Sequence, residues 1–102
     1  MITHARRRIV FSSAADLEVA EAALWYDARQ PGLGERFLAA IETAAAAAAR
    51  SPQLYFRLHG ELRRILVHRF PYALMFRDTD TELLIVSSYH LHDDPEVWQS
   101  RG

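Results

Sequence analysis

The sequence predicts an α+β domain of order β-α-α-β-β-β, a helical hairpin packed on a small twisted antiparallel sheet. Three observations carry that expectation. Two stretches of helical periodicity meet at Gln30-Pro31-Gly32, three β-prone runs follow Glu61, and short links join those runs. With 102 residues, half of them apolar and a quarter charged, the chain suits one domain over 1–102 with a modest core.

The first element is Arg7-Arg8-Ile9-Val10-Phe11, a β-prone run with Ile9 and Phe11 on one face. Ser12 or Ser13 then offers a helix cap, and Asp16 sits where the helix dipole favours a carboxylate. The spacing predicts a first helix over 14–29. Leu17, Leu24 and Ala28 share one side of it, and Val19, Ala22 and Tyr26 nearly the opposite side. A helix apolar on two sides is usually covered on two sides. Gln30-Pro31-Gly32 breaks the ladder. The second helix, over 33–50, puts Leu33, Phe37, Ile41, Ala44, Ala45 and Ala48 on one arc, and Glu35, Glu42, Thr43 and Arg50 on the other. Its alanine run favours the helix and allows a close neighbour. Ser51-Pro52 ends it, because the residue before proline avoids the α region.

A loop over 53–61 leads into strands at 62–69, 72–77 and 82–90. Phe70-Pro71 and 78–81 are short enough to make them an antiparallel meander, and a last turn or short helix is expected over 95–98.

Composition narrows the function classes. The chain has no cysteine, hence no disulfide and no thiolate metal site. No apolar run reaches membrane-spanning length, and residues 1–8 lack the hydrophobic stretch of a secretory signal, so a cytoplasmic protein is expected. The four glycines form no phosphate-binding loop, and no cofactor is expected. The formal charge of -1 hides an asymmetry. Acids gather in the helices (Asp16, Glu18, Glu21, Asp27, Glu35, Glu42). Between Arg57 and Arg77 five arginines and two histidines face the single acid Glu61. Lysine is absent. A local basic face of this kind is compatible with an anionic partner.

The candidate binding residues are Arg63, Arg64, Arg69, Arg77 and His92. Their guanidinium forks match phosphate or carboxylate. Alternation along a strand points Arg63 and Arg69 away from Arg64, so the set cannot line one site; the competing reading is a solvated sheet face. His90 is the candidate acid or base, against an ordinary role in holding the C-terminal turn. His90-Leu91-His92-Asp93-Asp94 offers two imidazoles and carboxylates, but a further ligand would have to come from His59 or His68, and no metal site is expected. Trp25, Tyr26 and Trp98 read as packing aromatics.

Asp16-Leu17, Trp25-Tyr26, Pro31-Gly32-Leu33-Gly34 with Arg36-Phe37, Arg63-Arg64, Phe70-Pro71-Tyr72 and His90…Asp94-Pro95…Trp98 together resemble the RelE/ParE superfamily, the toxins of bacterial type II toxin–antitoxin modules, also called plasmid stabilisation proteins. The resemblance runs from about Phe11 to Trp98 and implies the same hairpin-on-sheet fold. It implies a growth-inhibiting protein silenced by a cognate antitoxin, with DNA gyrase, or the ribosome and its mRNA, as target. RelE-like members cleave mRNA on the ribosome; ParE-like members act on gyrase by protein contact without hydrolysis.

Position by position the resemblance is mixed. His90 matches a histidine of some ribonuclease members, while the tyrosine that often follows is Leu91. Their strand arginine falls at Tyr72 or Ala73, and arginines common before Asp-Pro are here His92 and Asp93. The expectation therefore leans to ParE-like action. The alternatives are a ribosome-dependent endonuclease using His90 with Arg63, or with Arg64 or Arg77 if those share its face, and a non-toxic module that keeps only antitoxin binding.

Overall fold

The computed structural model describes residues 7–93, 99 and 101. The elements run β1 (Arg8–Phe11), α1 (Ser13–Arg29), α2 (Leu33–Arg50), a 3-10 turn (Pro52–Leu54), β2 (Arg57–His59), β3 (Leu62–Leu66), β4 (Tyr72–Asp78) and β5 (Glu82–His90). The last turn expected over 95–98 lies outside the described residues.

Ser12 is the cap of α1, its hydroxyl accepting from the Ala15 N–H at 3.1 Å. The cap of α2 is less ordinary. Gly32 holds that position at φ 86°, in left-handed territory, and has no side chain to offer. Asp27, still in α1, supplies the acceptor: its Oδ1 receives the N–H of Gly32 at 3.0 Å and of Gly34 at 3.1 Å. One carboxylate thus closes the turn and satisfies a donor that the start of a helix would otherwise orphan.

The hairpin lies on one face of a five-stranded sheet of order β1-β5-β4-β3-β2. Phe37, Ile41, Ala44, Ala45, Ala48 and Ala49 of α2, with Ala15, Val19, Ala22 and Ala23 of α1, bury against Ile65, Leu74, Phe76, Leu83 and Ile85. Each fully buried Leu, Ile or Phe among them contributes about 1.5–3 kcal/mol of transfer free energy. Tyr26, Phe37, Phe70 and Tyr72 close one end of the hairpin, with ring centroids 5.0–5.2 Å apart in four of their pairs.

The sheet departs from the expected meander in three ways. It is mixed: β1 pairs with β5 in parallel, from Arg8 opposite Glu82 to Phe11 opposite Ile85. The long excursion between them permits what a tight turn could not. β2 forms in a segment read as loop, where Arg57, Leu58 and His59 are all exposed and show no alternation. β3 ends at Leu66 rather than at Arg69: the Val67 N–H still bonds the Tyr72 carbonyl at 2.9 Å, but the chain then turns, with Arg69 at φ 71°. The limits of α2 and β5 are those the sequence predicts.

The sheet's other face is not an open basic surface. Leu62, Ala73, Met75, Val86 and Tyr89 form a second buried cluster there. Between Met75 and Phe76 the β4–β5 register slips, leaving Val86 as an extra residue in β5. Its freed carbonyl accepts from Arg101 Nη1 at 3.1 Å and from the Ser12 hydroxyl at 3.4 Å.

Candidate functional site

β5 delivers His90 to the sheet's rim, where β4 places Tyr72 directly opposite. Their rings meet edge to face with centroids 5.2 Å apart. α1 crosses above this rim, and the three elements enclose an open cavity of about 500 Å³ lined by Glu18, Glu21, Trp25, Tyr26, Tyr72, Ser88, His90 and Asp93.

The turn after β5 fixes the imidazole. The His90 N–H donates to Asp93 Oδ2 at 3.2 Å, and the Asp93 N–H returns to the His90 carbonyl at 2.9 Å. Leu91 N–H ties the turn to the Pro71 carbonyl at 2.9 Å. The His92 N–H donates to His90 Nδ1 at 3.1 Å, so in the neutral ring the proton belongs on Nε2. His92 thus touches His90 through the turn; it lies past the strand's end rather than two residues along it, with ring centroids 5.2 Å apart.

Burial pushes the Tyr72 hydroxyl above its ordinary pKa, helped by the charges of Tyr26 and Asp93, and burial raises Tyr26 as well. Both phenols therefore stay protonated near neutral pH and serve as donors, not bases. Ser88 is buried, and its Oγ has no partner among the described residues. Glu18 is committed: its Oε1 accepts from the Ser87 hydroxyl at 3.2 Å, the Ser88 N–H at 3.0 Å and Arg101 Nη1 at 3.0 Å.

The structure does not bring the candidate arginines to His90. Arg64 pairs with Met75, and Arg77 with Leu84, on the face of the second cluster. His90 pairs with Tyr72, on the hairpin face. The sheet stands between them. Arg63 is on the hairpin face but is spent on the Tyr55 carbonyl, to which its Nη1 donates at 2.7 Å. Arg69 sits exposed in the β3–β4 turn, its Nε donating to His68 Nε2 at 3.3 Å. Among the described residues, the charged side chains lining the His90 cavity are the carboxylates Glu18, Glu21 and Asp93, of which Glu18 is paired with Arg101 at 3.0 Å. Among the described residues no group of three or more His, Asp or Glu is placed to hold a metal ion, and no helix is long and apolar enough to cross a membrane.

Sequence reasoning named Arg69 as a partner-binding candidate but missed the α2 side of the groove it edges. Between α2 and the β3–β4 turn runs a groove of about 640 Å³, floored by Ala40, Ala44, Ala47, Ile65, Leu66 and Phe70. Its rim carries the cations Arg36 and Arg69 beside His68, with no acid lining it among the described residues. Arg36 and Arg69 lie 33 positions apart, on elements that only the fold makes neighbours; the small-residue arc of α2 was the one available signal.

No family model and no curated protein matches the chain. Among solved structures it is similar to one described as a chromosomal ParDE TA system from P. aeruginosa, with 12% sequence identity and a TM-score of 0.73, over 83% of this chain and 96% of that one. At that identity the likeness speaks for architecture: the two helices on a five-stranded mixed sheet, entered in β-α-α-β order, are a fold the two proteins share.

Proposed function

We propose that the chain is the toxin of a type II toxin–antitoxin module, silenced by a cognate antitoxin and acting on a protein target such as DNA gyrase without cleaving nucleic acid. The fold shared with a chain of a ParDE system supports the first part. The mechanistic part rests on one observation: His90 opens into a cleft edged by carboxylates, while Arg64 and Arg77 stand on the other side of the sheet. Attack by a ribose 2′-hydroxyl builds negative charge on the phosphoryl oxygens. Losing one positioned donor typically costs about 10²–10³ in rate. Glu21 and Asp93 in the same cleft would repel the substrate besides, Glu18 being paired with Arg101.

The antitoxin reading draws on the groove beside α2. An apolar floor of alanines with Arg36, His68 and Arg69 along its rim fits an acidic amphipathic helix, laid in by its apolar stripe. Co-expression with the product of the adjacent open reading frame, followed by size-exclusion chromatography, tests this; two separate peaks would count against it.

Target and chemistry are tested together by inducing the chain and its His90→Ala variant, following growth, and mapping mRNA 5′ ends by primer extension. The expected result is arrest by both proteins with intact messages, and inhibition of gyrase supercoiling in vitro. New codon-phased 5′ ends that vanish in His90→Ala would establish a ribosome-dependent endonuclease instead. Normal growth would reduce the chain to a binding module.

A further inference from the structure

The hairpin's outer surface carries an apolar groove of opposite electrostatic sign. The inner side of α1 is covered, with Val19, Ala22 and Ala23 buried. The other apolar side is not: Leu24 is 71% exposed and Leu17 59%, and across the groove Leu38 of α2 is 39% exposed. A 670 Å³ groove runs between the helices here, and its charged lining residues are Asp16, Asp27 and Glu35. Glu42, one helical turn beyond Leu38, extends the acidic rim. No basic residue lines the groove among the described residues.

Leu17 and Leu24 lie seven residues apart, two turns along one face of α1, with Leu38 of α2 opposite; an exposed apolar stripe of this kind suits helix-in-groove recognition, and the rim decides the occupant. A nucleic acid or an anionic membrane meets four carboxylates. A second copy of the chain docked on this face by a two-fold axis would set those carboxylates against themselves. We infer that this groove docks a basic amphipathic helix of a partner protein, its leucine-like stripe on Leu17, Leu24 and Leu38 and its cations on Asp16 and Glu35. Asp27 adds charge but is committed to its turn. The inference goes beyond the toxin reading and does not rest on it. The groove beside α2 is basic, so one helix cannot satisfy both, and the two grooves can be filled at once.

Two synthetic 14-residue helical peptides with one leucine register, one bearing lysines and one glutamates on the polar positions, test it against the full chain. Leucine methyl NMR shifts report the site. The lysine peptide should shift Leu17, Leu24 and Leu38 saturably, and the glutamate peptide should leave all three unmoved. Leu24→Ser, a surface change that keeps the fold, should weaken the lysine peptide by about tenfold or more. Asp16→Asn with Glu35→Gln should weaken it several-fold and flatten its salt dependence. Absence of shifts at these methyls, equal response to both peptides, or unchanged affinity in Leu24→Ser would overturn the inference. Because the glutamate peptide reports on the α2 groove in the same titration, failure of one docking surface is distinguishable from failure of the other.

Discussion

Replacing Gly34 by alanine strikes the contact that sets the hairpin's spacing. A Cβ built there stands 2.5 Å from the Ala23 carbonyl oxygen and 3.1 Å from Asp27 Cβ and Oδ1. The first is about 0.9 Å inside the 3.4 Å at which ordinary contact begins, and the neighbour is backbone, so no rotamer change relieves it. The helices must part. Overpacking of this kind costs about 1–3 kcal/mol. Stretching the Gly34 N–H bond to Asp27 adds about 1 kcal/mol. Helix propensity returns little, since Gly34 lies in the first turn. The expected loss is about 2–4 kcal/mol, read as a fall in the urea midpoint at unchanged slope. Gly32→Ala is the control: nothing lies within 4 Å of its Cβ, so only the left-handed φ is charged, about 1–2 kcal/mol. A neutral or stabilising Gly34→Ala, or one no worse than Gly32→Ala, would refute the argument.

Glu18→Ala removes the acceptor shared by Ser87, Ser88 and Arg101 and should cost about 1–3 kcal/mol, less whatever water recovers at a side chain 24% exposed, in urea melts. Tyr72→Phe should flatten the alkaline limb of stability. The folded-state pKa is raised, so the contribution is complete below about pH 10, where the unfolded phenol still holds its proton, and is lost as pH rises through the folded value. Circular dichroism between pH 8 and 11.5, at about half-unit steps, would show it, and identical curves would discount the burial of that hydroxyl. Arg36→Glu with Arg69→Glu should weaken an acidic amphipathic helix by about tenfold or more in calorimetric titration while leaving the melting temperature within a few degrees.

The sequence made the helices legible because their apolar spacing, Ser12 and Pro52 act locally. The limits of β5 were legible for the same reason: an unbroken β-prone run with the acid Glu82 at its start. Pairing is a different matter. Nothing in Arg8–Phe11 says whether its partner runs parallel, and three exposed residues at Arg57–His59 become a strand only because Leu62 and Arg63 are beside them. Alternation correctly sent Arg63 and Arg64 to opposite faces, and the same rule, once the register is known, parts Arg64 and Arg77 from His90. The Asp27 cap left no trace because its partners lie across a left-handed turn. One charged groove depends on α2 facing the β3–β4 turn and the other on α1 facing α2, and both are tertiary facts.

The parallel seam between β1 and β5 has a temporal consequence. Arg8 finds Glu82 only 74 positions further along the chain, whereas the hairpin and the β3–β4–β5 meander close through short loops. Long closures are the slow steps of folding. During synthesis β1 leaves the ribosome early and waits, unpaired, until β5 has followed. The sheet is therefore completed as a late event, and a nascent chain stalled before Glu82 has no such seam at all. Whatever this protein does to a cell, that seam sets an interval between making the chain and having the finished fold.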